Sequence, residues 1–106
     1  STAAGTAESF RRTRLEQLRA RIAEAEALHR AAEARLREAE ISAARGERLL
    51  RQGVGTAAQV DILRRDLTVA RDTLTAAEER VASLRAEEDG ARMGIFATDN
   101  ATDRSI

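Results

Sequence analysis

From Val60 onward, apolar side chains return at alternating intervals of three and four residues. That repeat decides most of what this chain can fold into. With Val60 as position a of a heptad, the a sites are Val60, Leu67, Leu74, Val81 and Glu88. The d sites are Leu63, Ala70, Ala77, Leu84 and Ala91. Glu88, near the end, is the polar exception. A 3.5-residue repeat sustained this long is the pattern of a helix that lies along another helix. The upstream half carries the same repeat with Leu15 as a. Its a sites are Leu15, Ile22, His29, Leu36, Ala43 and Leu50, and its d sites are Leu18, Ala25, Ala32, Ala39, Gly46 and Gly53. Small residues at most d sites predict close backbones, toward the short end of the usual range of about 8–10 Å.

Between the two repeats stands Arg51-Gln52-Gly53-Val54-Gly55-Thr56. Gly53 suits C′, the left-handed residue that ends a helix. Leu49 is then C3 and Val54 is C″, the hydrophobic pair that accompanies a Schellman stop. Thr56 suits an N-cap, and Gln59 three residues later completes a capping box. Helices joined by so short a loop are antiparallel neighbours. The expected fold is therefore all-α: a long two-helix antiparallel coiled-coil hairpin. Its first helix covers about 6–52, the turn 53–56, and the second helix about 57–89, with an irregular, polar tail after Gly90. The first helix would be roughly 70 Å long and the second nearer 50 Å. The first ten or so residues then lack a partner, unless the tail folds back and sets Ile95 and Phe96 against Phe10.

Composition agrees. Hydrophobic residues make up 42% of the 106, but 23 are Ala, so bulky apolar side chains are sparse for a compact globule. Abundant Ala, Glu, Arg and Leu is the composition of long helices. The 18 basic and 18 acidic residues balance, which argues against a nucleic-acid partner. All the basic residues are Arg, so there is no lysine amine for Schiff-base chemistry, and the absence of Cys removes thiol chemistry. Glu26–Arg30, Glu33–Arg37, Glu47–Arg51 and Asp61–Arg65 are acid-first i,i+4 pairs, each expected to contribute about 0.2–0.5 kcal/mol. No apolar run reaches the roughly 18 residues that span a bilayer, and no signal-peptide pattern stands at Ser1. A two-helix seam buries little surface per residue, so the chain is expected to self-associate or to belong to a larger protein.

The segment Arg45-Gly46-Glu47-Arg48-Leu49-Leu50-Arg51-Gln52-Gly53-Val54-Gly55-Thr56 resembles the hairpin tip of bacterial membrane fusion proteins. These are the periplasmic adaptor subunits of the HlyD family. Many efflux adaptors carry Arg, three residues, Leu, six residues, Ser at that tip. Arg45, Leu49 and Thr56 match the spacing, with Thr in place of Ser. The resemblance covers residues 10–92 as hairpin core, with 93–106 as a C-terminal tail. It implies that the 106 residues are a single α-hairpin from a larger adaptor with flanking lipoyl-like and β-barrel domains. The tail, with Gly94-Ile95-Phe96, Asp99, Asn100 and Asp103, is similar to the segment after helix two in HlyD-type proteins of polysaccharide export. Thr102 departs from that pattern.

The resemblance implies a periplasmic location, with the full-length protein anchored to the inner membrane. It implies partnership with an inner-membrane transporter and a TolC-like outer-membrane channel in a tripartite efflux or export system, polysaccharide or type I secretion included. It also implies lateral self-association, hexamer-like in the whole protein; a dimer is the corresponding expectation for this hairpin alone.

The partner-binding residues implied at the tip are Arg45, Leu49 and Thr56. A guanidinium suits bidentate recognition of carbonyls or a carboxylate; otherwise Arg45 is one more solvated arginine. Leu49 either seats in a groove on the partner or makes the Schellman contact with Val54. Thr56 is an N-cap on physical grounds alone. His29 has no Cys or second His near it in sequence, so a seam position is expected rather than a metal ligand. A pH-sensitive weakening of the packing there would be excluded by equal helix content at pH 5 and 8. Asn100-Ala101-Thr102 matches a short, common sequon, and Arg11-Arg12 and Arg64-Arg65 stand among acids as solvated faces. No catalytic, cofactor-binding or metal constellation is read from the pattern, so no enzyme is expected. The alternative is a structural coiled-coil dimerisation module with no transport role, indifferent to the identity of Arg45 and Leu49.

Overall fold

A computed structural model describes the backbone of residues 2–104 and the side chains of residues 2–94. It contains two helices, α1 (Thr2–Arg51, 50 residues) and α2 (Ala57–Arg104, 48 residues). The chain is an antiparallel helical hairpin, as the paired repeats require. It divides into two compact units, each made of one stretch from each helix. Residues 26–79 hold the turn, and residues 2–25 pair with the stretch from 80 onward.

The heptads place the core. From Ala57 to Gly94, the α2 residues that escape full exposure are the ten a and d positions from Val60 to Ala91. In α1 every a and d position from Leu15 to Leu50 is buried or half-buried. Gly53, counted as the last d site, is instead exposed in the turn. No polar or charged residue is buried among the described residues.

In the unit built from residues 2–25 and 80 onward, Leu18, Ile22 and Ala25 of α1 pack with Val81 and Leu84 of α2, and Ala91 lies against that cluster. Leu18 and Leu84 are each 1% exposed. Glu88 interrupts the apolar seam, and its side chain is 14% exposed. Two guanidiniums answer it, Arg19 across the pair at 3.5 Å and Arg92 one turn on at 3.4 Å. Arg14 reaches Glu87 at 3.5 Å beside them.

In the unit of residues 26–79, small residues of α1 face larger ones of α2. Ala32, Ala43 and Val60 are buried, and the Leu residues at a and d sites are half-buried. Gly46 marks the tightest place. A Cβ there would collide with Cδ1 of Leu63, so the absence of a side chain lets Leu63 lie over the α1 backbone.

One expectation about the helices needs correction. The second helix does not end near residue 89 in an irregular tail; it continues to Arg104. Gly90 and Gly94 stay in helical backbone, since the positive φ values belong to Gly53 and Gly55. A glycine costs a helix about 1 kcal/mol relative to Ala but does not stop it without a left-handed cap, and no proline follows. The contact proposed for Phe10 with Ile95 and Phe96 lies outside the described side chains; Phe10 itself is 73% exposed.

The expected ion pairs also rearrange. Glu47 turns from Arg51 and accepts a hydrogen bond from Arg64 Nε at 2.8 Å across the seam. Asp61 lies 3.7 Å from Arg64, not against Arg65, and Glu33 lies 3.5 Å from His29, not against Arg37. Only the Glu47 bond crosses to the neighbouring helix; the other two stay within one helix at i,i+3 and i,i+4 spacing.

Candidate functional site

The turn is the site that the tip motif singles out, and its geometry follows from its residues. The Val54 N–H donates to the Leu49 carbonyl at 2.9 Å and the Gly53 N–H to the Leu50 carbonyl at 3.0 Å. These are the two bonds of a Schellman stop, and they satisfy carbonyls that a helix end otherwise leaves open. Gly53 sits at φ 81°, where an L side chain is strained.

Helix α2 restarts two residues later through a reciprocal box. The Gln59 N–H donates to Thr56 Oγ1 at 3.2 Å, and the Thr56 N–H donates to Gln59 Oε1 at 3.0 Å. Gly55, at φ 82°, is needed twice over. Its backbone is left-handed, and a Cβ there would press on Gln59 Oε1 at 2.9 Å, breaking into the box.

Leu49 and Thr56 therefore meet at one turn, with Leu49 closing α1 through its carbonyl and Thr56 opening α2 through its hydroxyl. Leu49 is half-buried and Thr56 exposed. Arg45 lies one helical turn before Leu49 on the same side of α1, is exposed, and makes no ion pair among the described residues. Its five N–H donors remain free for an outside acceptor. Arg48 and Arg51 add positive charge to the last turn of α1, where the helix dipole favours it.

Sequence reasoning passed over several residues here. Val54 is 54% exposed at the apex, so the Schellman partner of Leu49 is itself an apolar contact point. Ile62 and Val69 are 52% and 58% exposed along α2. A groove of about 410 Å3 has Val69 in its wall, with Arg35, Ala39 and Ser42 of α1 and Leu63 and Asp66 of α2. Reading the g and c positions as carefully as the a and d positions would have found it.

His29 is half-buried at its a position, with Nδ1 3.5 Å from Glu33 and Nε2 4.0 Å from Glu78. Among the described residues, no group of three or more His, Asp or Glu side chains is placed to hold a metal ion. No described helix is long and apolar enough to cross a membrane. The arrangement offers recognition surfaces: a capped turn with an unpaired guanidinium and exposed aliphatics. Comparison of the chain with protein-family models, with curated proteins and with solved structures finds no match.

Proposed function

We propose that this hairpin is the periplasmic segment of an adaptor that links an inner-membrane transporter to a TolC-like outer-membrane channel. One observation carries the reading: Arg45 and Leu49 stand one helical turn apart beside a turn closed by a Schellman stop and a capping box. A docking end has to keep its shape without its partner, and this turn is held by two Schellman bonds and two capping-box bonds of its own. The tip resemblance supplies the partner class. In this reading the hairpin spaces two membranes, Arg45 donates to carbonyls or a carboxylate on the channel, and Leu49 and Val54 add apolar contact. Thr56 is a positioning residue that sets the start of α2.

The test uses the full-length protein that carries this chain. Arg45→Asp is expected to weaken binding to the outer-membrane channel about tenfold or more, the loss of a charge-assisted bidentate contact. Helix content should not move, because Arg45 caps nothing. Unchanged channel binding would remove Arg45 from the docking surface. The second reading, a structural coiled-coil dimerisation module, is favoured by a different observation, the aliphatic residues left exposed along α2.

A further inference from the structure

The two flanks of the 26–79 unit differ. In an antiparallel pair the e and b positions of both helices share one flank, and the g and c positions share the other. The cross-seam bond between Glu47 and Arg64, both at e, and the groove between Arg35 and Ser42 of α1 and Asp66 and Thr73 of α2, all at g, agree with that assignment. Charged side chains fill most of the e and b flank, Glu33, Arg37, Glu40, Glu47, Arg64 and Arg71 among them. On the g and c flank the charges are Arg35, Glu38, Arg45 and Asp66. The rest are short or aliphatic. Leu28, Ile62 and Val69 of that flank are 60%, 52% and 58% exposed. The Thr73 hydroxyl is turned back onto the Val69 carbonyl at 2.8 Å, so it asks for no outside partner.

We infer that this flank is where two copies of the chain associate, face to face about a twofold axis, with Ile62 and Val69 of each seated in the groove of the other. Three features select a second copy. The flank carries two positive and two negative charges, so it is neutral and can pair with itself, Arg35 of one copy facing Asp66 of the next. A twofold interface needs such self-complementarity, because each residue meets its partner reciprocally. The flank offers both exposed aliphatics, Ile62 and Val69, and a groove of about 410 Å3, walled on one side by Val69, to receive those of the other copy. Two helical stretches side by side over about 35 Å present on the order of 700 Å2, close to the roughly 800 Å2 per partner of a stable interface. The inference gives the dimerisation reading its surface and does not rest on the adaptor reading: Arg45 lies on the same flank, but channel binding is read at Arg45 and self-association at Ile62 and Val69, and either can fail alone.

Sedimentation of the 106-residue chain tests it. The expected result is a dimer that dissociates on dilution. Ile62→Asp with Val69→Asp should leave a monomer at the same concentration with unchanged far-ultraviolet circular dichroism, because neither residue belongs to the seam. Thr68→Asp with Thr75→Asp, on the other flank, should leave the dimer intact. If the first pair lowers helix content, Ser42→Arg, which fills the groove, should give the monomer instead. A wild-type chain that stays monomeric overturns the inference. So do assemblies larger than a dimer, which mean a head-to-tail contact, and a dimer that survives both Ile62→Asp with Val69→Asp and Ser42→Arg.

Discussion

The unit of residues 2–25 and 80 onward and the unit of residues 26–79 use one repeat in two ways. In the first, branched aliphatics come from both helices, and Leu18 and Leu84 are almost fully withdrawn from water. In the second, α1 supplies mostly Ala and Gly to the seam, its seam leucines Leu36 and Leu50 stay half-buried, and order comes from the turn. One unit is held by side-chain area. The other is held by backbone proximity and by hydrogen bonds that need particular φ values. The difference teaches where each is fragile, since area fails by truncation and a turn fails by a single added methyl.

The largest test of that contrast is Leu84→Ala. It should lower stability by about 2–5 kcal/mol, because a nearly buried leucine is cut from the apolar cluster of its unit. Thermal unfolding followed by circular dichroism, with hydrogen exchange to localise the loss, checks this. Exchange that quickens equally in residues 26–79 would erase the distinction between the units. Next comes Gly53→Ala, which places a Cβ at φ 81° with open space around it. Its expected cost is about 1–2 kcal/mol, from backbone strain alone. Faster exchange of the Gly53 and Val54 amides should accompany it, with Leu18 and Leu84 unaffected.

Thr56→Ala is smaller, about 1 kcal/mol, since one of the two box bonds goes with the hydroxyl. Thr56→Ser should restore it, and no rescue by serine would mean that the methyl group, not the cap, matters. Arg64→Ala is the smallest. Its guanidinium is 59% exposed, so the pair with Glu47 should contribute only about 0.2–1 kcal/mol and fade in salt. A loss as large as that of Gly53→Ala would show that the turn-bearing unit also depends on its charged flank.

Much of this was legible in the letters. The α2 heptad named every residue that the helix turns inward from Val60 to Ala91, because a 3.5-residue period leaves one stripe facing a partner. The turn was legible bond by bond, Gly53 as the left-handed stop and Thr56 with Gln59 as the restart, because caps are local chemistry. The end of α2 was not, since Gly90 resembles a stop in composition but lacks the left-handed backbone that makes one. Ion pairs were misassigned for a related reason. Glu47 chose Arg64, seventeen residues away in sequence, and only the packed helices put those groups together. At the candidate site, the spacing of Arg45, Leu49 and Thr56 was readable, while the exposed apex at Val54 and the flank of Ile62 and Val69 needed burial to be seen.

The connection between the helices has one more consequence. Apart from His29 and Glu88 the seam is apolar, and most of its length does little to distinguish one alignment of the helices from another shifted by a heptad. It also does not distinguish a helix of its own chain from the same helix of another. Gly53 and Gly55 make both choices. Held left-handed, they fold the chain back at one fixed count of residues and keep the seam intramolecular. Were both replaced by alanine, a good helix former, α1 could run on into α2 as one uninterrupted helix, and two such chains would exchange halves through the same seam. Two small residues thus separate a self-contained hairpin from a strand-exchanged pair.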